Sequence, residues 1–217
     1  MLRAFVAYDT PRLQPDRSVT ATLLLVRHAA HVELGQLLSG RRRDVALSPA
    51  GLEQAAILAD LLGTEAVEAV YSSPRERAWY TAREIADAHE LTVTVEERLD
   101  EIDFGGWTGV RFEVLEGEPD WSELNEHRGT ARPPGGESMG EATSRAVAAL
   151  EEIARVHAGQ TVVAVTHCDI IRGAVAHYLG LALDNLLRFD VDPASVTRLA
   201  VGPWGGRVLA LNERLYQ

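Results

Sequence analysis

Leu23-Leu24-Leu25-Val26-Arg27-His28 decides how this chain is read. Four apolar residues in succession mark a strand buried on both faces, because a strand with one wet face alternates polar and apolar side chains. Such a strand belongs inside a largely parallel sheet. Its end needs neither an arginine nor a histidine for stability. Arg27-His28, continued by Ala29-Ala30-His31, therefore raises the question of what the pair faces. In open parallel sheets, ligands collect at the carboxyl ends of strands.

Outward from this stretch, residues 67–71, 92–95 and 161–166 are short runs rich in β-branched residues. Residues 49–62, 74–88, 139–156 and 170–179 carry helical spacing between and after them. Ser48-Pro49 and Ser73-Pro74 place a serine at the cap and a proline in the first turn, and Ser73 with Glu76 and Ser138 with Glu141 have the spacing of capping boxes. The alternation predicts a three-layer α/β/α sandwich around a mainly parallel central sheet. Residues 198–201 and 207–211, joined by Gly-Pro-Trp-Gly-Gly, predict a late hairpin that gives the sheet one antiparallel edge strand. The stretch 104–136, with its glycines, prolines and tryptophans, is expected to form a lid or an excursion at the active site. Residues 1–20, with Pro11, Pro15 and scattered charges, read as an N-terminal extension, and 21–217 as one domain.

Composition removes several classes of function. The chain has 217 residues, 46% of them hydrophobic, enough for one large core. A formal net charge of -11 argues against nucleic acid and anionic membranes as partners. All 21 basic residues are arginine, so a Walker lysine, a Schiff-base lysine and a lysine general base are excluded. The lone Cys168 allows no internal disulfide, which fits a cytoplasmic location. No apolar run reaches the ~18 residues of a membrane span, and residues 1–20 contain no signal-peptide apolar stretch.

Three strand ends carry chemistry. Arg27-His28 ends the first, Thr166-His167-Cys168 ends the last, and Ser72-Ser73-Pro74-Arg75-Glu76-Arg77 leads from the second into a helix. A helix start offers free N–H groups and a partial positive charge. With arginines and histidines beside it, the site suits a compact anion, phosphate above others, because guanidinium meets its oxygens in pairs. From the residues alone, Arg75 and Arg77 both qualify as the second arginine, and Glu97, Asp100, Glu101 and Asp103 all qualify as an acid. A metal reading also exists: His28, His31, His167, Cys168 and Asp169 are all ligand types for a transition metal.

These segments, taken together, resemble the histidine phosphatase superfamily, which includes phosphomonoesterases and phosphoglycerate mutases. LVRHA (25–29), RRRDVALSPAGLEQA (41–55), SSPRERAWYTA (72–82), RLDEIDFGGWTG (98–109), PPGGES (133–138) and VTHCDIIRG (165–173) fall in that family's order. The resemblance implies a phosphoglycerate mutase-like fold and a phosphatase acting on a small anionic phosphomonoester, with no metal or other cofactor. It implies His28 as the nucleophile, Glu101 as general acid and base, and Arg27, Arg77 and His167 as phosphate-binding residues. His31, Arg41 and Ser138 are possible substrate contacts. His89, His127, His157 and His177 read as surface or structural. A monomer or a homodimer is expected. The chain departs from the family at Ala29, where a glycine usually follows the nucleophile, and at Ala30, His31, Leu34 and Cys168. The mutase branch carries NERHYG around the acid and HGNS around the second histidine. Here those read DEIDFG and HCDI, which favours the phosphatase branch over the mutase alternative.

Overall fold

The computed structural model describes residues 19–214; residues 1–18 of the expected extension lie outside them. The opening stretch forms β1 (Ala21–Arg27) in a six-stranded sheet. β2 (Val67–Ser72), β3 (Val93–Val95), β4 (Thr161–Thr166), β5 (Val196–Gly202) and β6 (Gly205–Glu213) complete it in the order β3-β2-β4-β1-β5-β6. The pairs β1·β4, β2·β4 and β2·β3 are parallel. β5 is antiparallel to both β1 and β6, so the predicted hairpin forms one edge. The strand running against the rest is β5, one place inside the rim, and β6 at the rim again runs with β1.

Among the described residues six α-helices accompany the sheet: α1 (Pro49–Leu62), α2 (Glu76–Ala88), α3 (Phe112–Leu115), α4 (Pro119–Glu126), α5 (Met139–Val156) and α6 (Cys168–Leu179). Side chains of a strand alternate between its two faces. In β1, Leu24 and Val26 accordingly join a core with α1 and α2, while Leu23 and Leu25 join a second core with α5 and α6. All four are buried. Each contributes roughly 1.5–3 kcal/mol by leaving water, which sets the register of the polar pair that follows. Stretch 104–136 is not a bare loop. It carries α3 and α4 and packs Phe104, Trp107, Leu115 and Leu124 against Met139, Ile170 and Leu186 in a third core.

Two of the expected caps form. The Ser48 hydroxyl accepts from Gly51 N at 3.1 Å, and Ser138 with Glu141 makes the reciprocal capping box. The third does not. α2 begins at Glu76 with Arg75 at its N-cap and no side-chain cap bond.

Register then decides which strand ends meet. Arg27 pairs with Thr166, and Ser72 with Val165. One residue on, His28 N donates to Thr166 O at 3.0 Å and Ser73 N donates to Val165 O at 2.9 Å. His28, His167 and Ser73 therefore stand side by side beyond three adjacent strands.

Candidate active site

His28 is 3% exposed, and its Nδ1 lies 2.8 Å from the Ala29 carbonyl oxygen. A carbonyl only accepts, so Nδ1 carries the proton and Nε2 presents its lone pair. Burial lowers the imidazole pKa well below its ordinary value, and the nearby Arg77 and Arg27 cations lower it further. At neutral pH the ring is uncharged. The backbone that carries it is pinned: Ala29 N donates to Thr81 Oγ1 at 3.1 Å, and Ala30 N to Gln54 Oε1 at 3.0 Å. Gly51 of α1 packs directly on this loop, and a Cβ there would lie 1.8 Å from the Ala30 carbonyl oxygen.

Arg77 is 1% exposed on α2. Its Nη2 donates to Gly40 O at 2.7 Å and lies 3.3 Å from His167 Nδ1, and its Nε lies 3.3 Å from His28 Nε2. Burial draws its pKa down while Glu101 and Asp100 draw it back, and a guanidinium stays charged throughout. Arg77 Nη1 and Arg27 Nε have no partner among the described residues, although both atoms are buried. Arg27 otherwise donates through Nη1 to Val191 O at 2.6 Å. An unmet buried donor on a cation is costly unless a ligand accepts from it. Both arginines line a cavity of about 250 Å³ together with His28, His31, Glu101, Cys168 and Asp169. Leu34, Leu37, Leu38, Phe104 and Phe112 form its apolar wall.

Glu101 lies across this cavity. Its Oε1 accepts from Ile102 N at 2.9 Å, and its Oε2 is 3.7 Å from His167 Nδ1. Burial lifts the carboxyl to a pKa of about 7, with Asp169 adding to the rise and Arg77 opposing it. A carboxyl in that range holds a proton and can release it. Its backbone is held from behind. Arg145 of α5 donates to the carbonyls of Arg98 at 2.7 Å, Asp100 at 2.8 Å and Glu101 at 3.0 Å, and Arg41 Nε donates to Glu101 O at 2.7 Å.

His167 is wholly buried, its Nε2 2.7 Å from Ser73 Oγ and its ring centroid 5.1 Å from that of His28. Burial first, then Arg77, His28, Arg75 and Arg145, keep it neutral in the unliganded protein.

Of the predicted residues, Arg27, His28, His31, Arg77 and Glu101 line one cavity, with His167 behind it. Arg41 and Ser138 do not line it. The Arg41 guanidinium is turned to Glu137, at 2.6 Å, and to the Glu101 carbonyl, so it braces the segment that carries Glu101. Ser138 stays at the head of α5 as its cap. Arg75, the rival of Arg77, makes a two-pronged contact with Asp100, at 2.7 and 2.6 Å. The metal reading fails on geometry: among the described residues no three His, Cys, Asp or Glu side chains are grouped to hold an ion. His31 Nδ1 accepts from Glu33 N at 3.3 Å, and the Cys168 thiol, raised by burial to a pKa of about 11, faces Val191 O. Gly40 and Arg145 carry no signal in the sequence, while Ser73 reads there only as a helix cap and Asp100 only as a rival acid. Asp169 had figured only as a metal ligand; burial alone would raise its pKa, but Arg128 and Arg172, at 3.2 and 3.6 Å, hold it low.

Known proteins resemble this chain along most of its length. Residues 23–214 match the family model of the histidine phosphatase superfamily, branch 1. The chain is 37% identical over 195 residues to phosphoserine phosphatase 1 of Hydrogenobacter thermophilus, covering 88% of this chain and 91% of that one. Among solved structures, Bacillus stearothermophilus YhfR superposes with a TM-score of 0.83 at 25% identity, covering 89% and 98% of the two chains. A mycobacterial glucosyl-3-phosphoglycerate phosphatase superposes with a TM-score of 0.80 at 25% identity, covering 90% and 100%. A match over nearly all the described residues, together with a phosphatase relative at 37% identity, shows that the chain belongs to the histidine phosphatase superfamily, branch 1, and is a phosphoric monoester hydrolase.

Proposed function

We propose that this protein hydrolyses a small phosphate monoester in two in-line displacements on His28. The observation that carries the reading is the pair of unmet guanidinium donors, Arg77 Nη1 and Arg27 Nε, beside the lone pair of His28 Nε2. In the first step Nε2 attacks phosphorus, the bond from phosphorus to the ester oxygen breaks, and Glu101 gives its proton to the departing alcohol. In the second step Glu101 takes a proton from water, the water oxygen bonds to phosphorus, and the nitrogen–phosphorus bond breaks. Arg27, Arg77 and a donating His167 hold the equatorial oxygens, where charge is concentrated in both transition states.

The cavity supports a small substrate, since about 250 Å³ leaves room for a phosphate and a short organic group. The apolar wall from Leu34 to Phe112 would face that group. Phosphoserine heads the esters to try, because a relative at 37% identity is named for it, and phosphoglycerate-type acids and sugar phosphates follow. No helix among the described residues is long and apolar enough to cross a membrane.

His28→Ala tests the scheme. The variant is expected to keep its fold and lose phosphate release from p-nitrophenyl phosphate. Wild-type enzyme quenched in alkali should carry an acid-labile phosphate on histidine. Substantial turnover by the variant would refute the assignment.

A further inference from the structure

We propose that Ser73 is a positioning residue for the reaction: its hydroxyl holds Nε2 of His167 so that Nδ1 of that ring donates to the bound phosphate. The inference rests on the phosphatase reading and adds to it a residue outside the cavity wall.

A neutral imidazole has one donor and one acceptor nitrogen, so a partner at one nitrogen dictates the other. Nδ1 of His167 is the nitrogen on the active-site side, 3.3 Å from Arg77 Nη2 and 3.7 Å from Glu101 Oε2. Nε2 faces away, 2.7 Å from Ser73 Oγ. Ser73 is fully buried. Its oxygen also accepts from Arg75 N at 3.3 Å, and its hydroxyl donates to Asp100 Oδ1 at 3.5 Å.

Two forms of the ring serve a phosphate. With the Ser73 proton directed at Nε2, the neutral ring carries its own proton on Nδ1. With the Ser73 proton directed at Asp100, its oxygen accepts from Nε2–H and the ring is doubly protonated, again with a donor at Nδ1. The remaining form, protonated on Nε2 alone, is the one the unliganded contacts select, since Arg77 can only donate to Nδ1 and the Ser73 hydroxyl donates to Asp100. It would aim a lone pair at a phosphate oxygen, so binding must bring a proton to Nδ1 as Arg77 turns to the ligand. A hydroxyl that accepts from Nε2–H in the unliganded protein, and can either keep doing so or turn to donate when phosphate binds, permits that change at Nδ1, and no apolar residue at 73 can do so. Asp100 is fixed for this task by Arg75 at 2.6 Å. The charged and titratable groups facing His167 are Arg75 and Arg77, Arg145 of α5, His28 beyond β1, and Glu101. The cations among them disfavour the charged ring, and an arriving phosphate dianion opposes that.

Ser73→Ala and Ser73→Thr test the proposal in the full chain. Nitrogen-15 imidazole shifts, recorded with inorganic phosphate and with orthovanadate, read the protonation of His167 directly. The wild-type complex should show a proton on Nδ1. Ser73→Ala should lose roughly tenfold to a hundredfold in kcat/KM and in vanadate affinity, shift the pH profile and alter the His167 signals. Ser73→Thr, which keeps the hydroxyl, should restore most of the loss. Should Ser73→Ala fail to fold, the wild-type spectrum decides alone. A wild-type phosphate complex with Nδ1 unprotonated, or a folded Ser73→Ala with unchanged vanadate affinity and an unchanged His167 spectrum, overturns the proposal. These readouts need no turnover, so they stand apart from the fate of His28 as nucleophile.

Discussion

Glu101→Gln should make the enzyme worse and the fold better, and both effects have the same cause. The carboxyl of Glu101 sits at a pKa of about 7 against an ordinary 4.5, chiefly because burial penalises its charge. A folded-state pKa that is raised means the native state binds the proton more tightly than the unfolded chain does. The contribution of Glu101 to stability is then fully present below pH 4.5 and is lost as pH rises through about 7. The whole span is worth about 3 kcal/mol at 1.36 kcal/mol per unit. Glutamine keeps the volume and can accept from Ile102 N as Oε1 does now, but it has no charge to bury. Thermal melts of the two proteins should nearly coincide at pH 4.5, and the variant should melt several degrees higher at pH 8.

The kinetic consequence depends on the leaving group. A sugar or serine alkoxide cannot depart without a proton, so its ester should slow by roughly 10²–10⁴-fold in the variant. A nitrophenolate departs unaided and should slow far less in the first step. The wild-type rate on an alkyl phosphate should fall above about pH 7, where Glu101 gives up its proton, and the variant should lose that limb. Paired pH-rate profiles on phosphoserine and p-nitrophenyl phosphate measure this. Equal loss on both esters, or a melting difference that does not grow with pH, would refute the reasoning and turn attention to Asp103 or Glu97.

Two further outcomes follow from the same geometry. Turnover should survive exhaustive chelation and should not rise with added zinc, manganese or magnesium, since Arg27 and Arg77 already supply permanent positive charge; chelator-sensitive activity with stoichiometric zinc by elemental analysis would defeat this. Gly51→Ala should cost roughly 1–3 kcal/mol in a denaturant titration and also lower kcat, because its new Cβ would force the Ala30 carbonyl, and with it the loop after His28, to move.

Much of this molecule could be read along the chain because the deciding signals are local. Leu23 to Val26 announce a buried strand by themselves, and the serine-proline pair at 48–49 and the serine-to-glutamate spacing at 138–141 announce helix starts whose bonds close within four residues. The order of strands is not local. That β4 lies between β1 and β2, placing His167 between His28 and Ser73, depends on pairing across more than ninety residues. The run Arg41-Arg42-Arg43 shows the same limit. Its charge is plain in the sequence, but Arg41 could meet a ligand or a neighbour equally well, and the nearby Glu137 carboxylate and Glu101 carbonyl settle it.

Ser73 shows how a correct local rule can select the wrong partner. Serine followed by proline fits a helix cap, and the glutamate at 76 completes the pattern. Proline, however, also pushes the residue before it into extended backbone. Ser73 obeys that second rule, continuing the ladder of β2 by one more bond to Val165 O. An extended Ser73 leaves Pro74 and Arg75 to bridge to the helix, and α2 begins at Glu76. The hydroxyl freed from capping is then carried to Nε2 of His167, 94 positions away. A cap and a histidine partner require the same side chain at the same strand end. The choice between them lies in the register of β2 against β4, which sets Ser72 opposite Val165 and so delivers Ser73 beside His167.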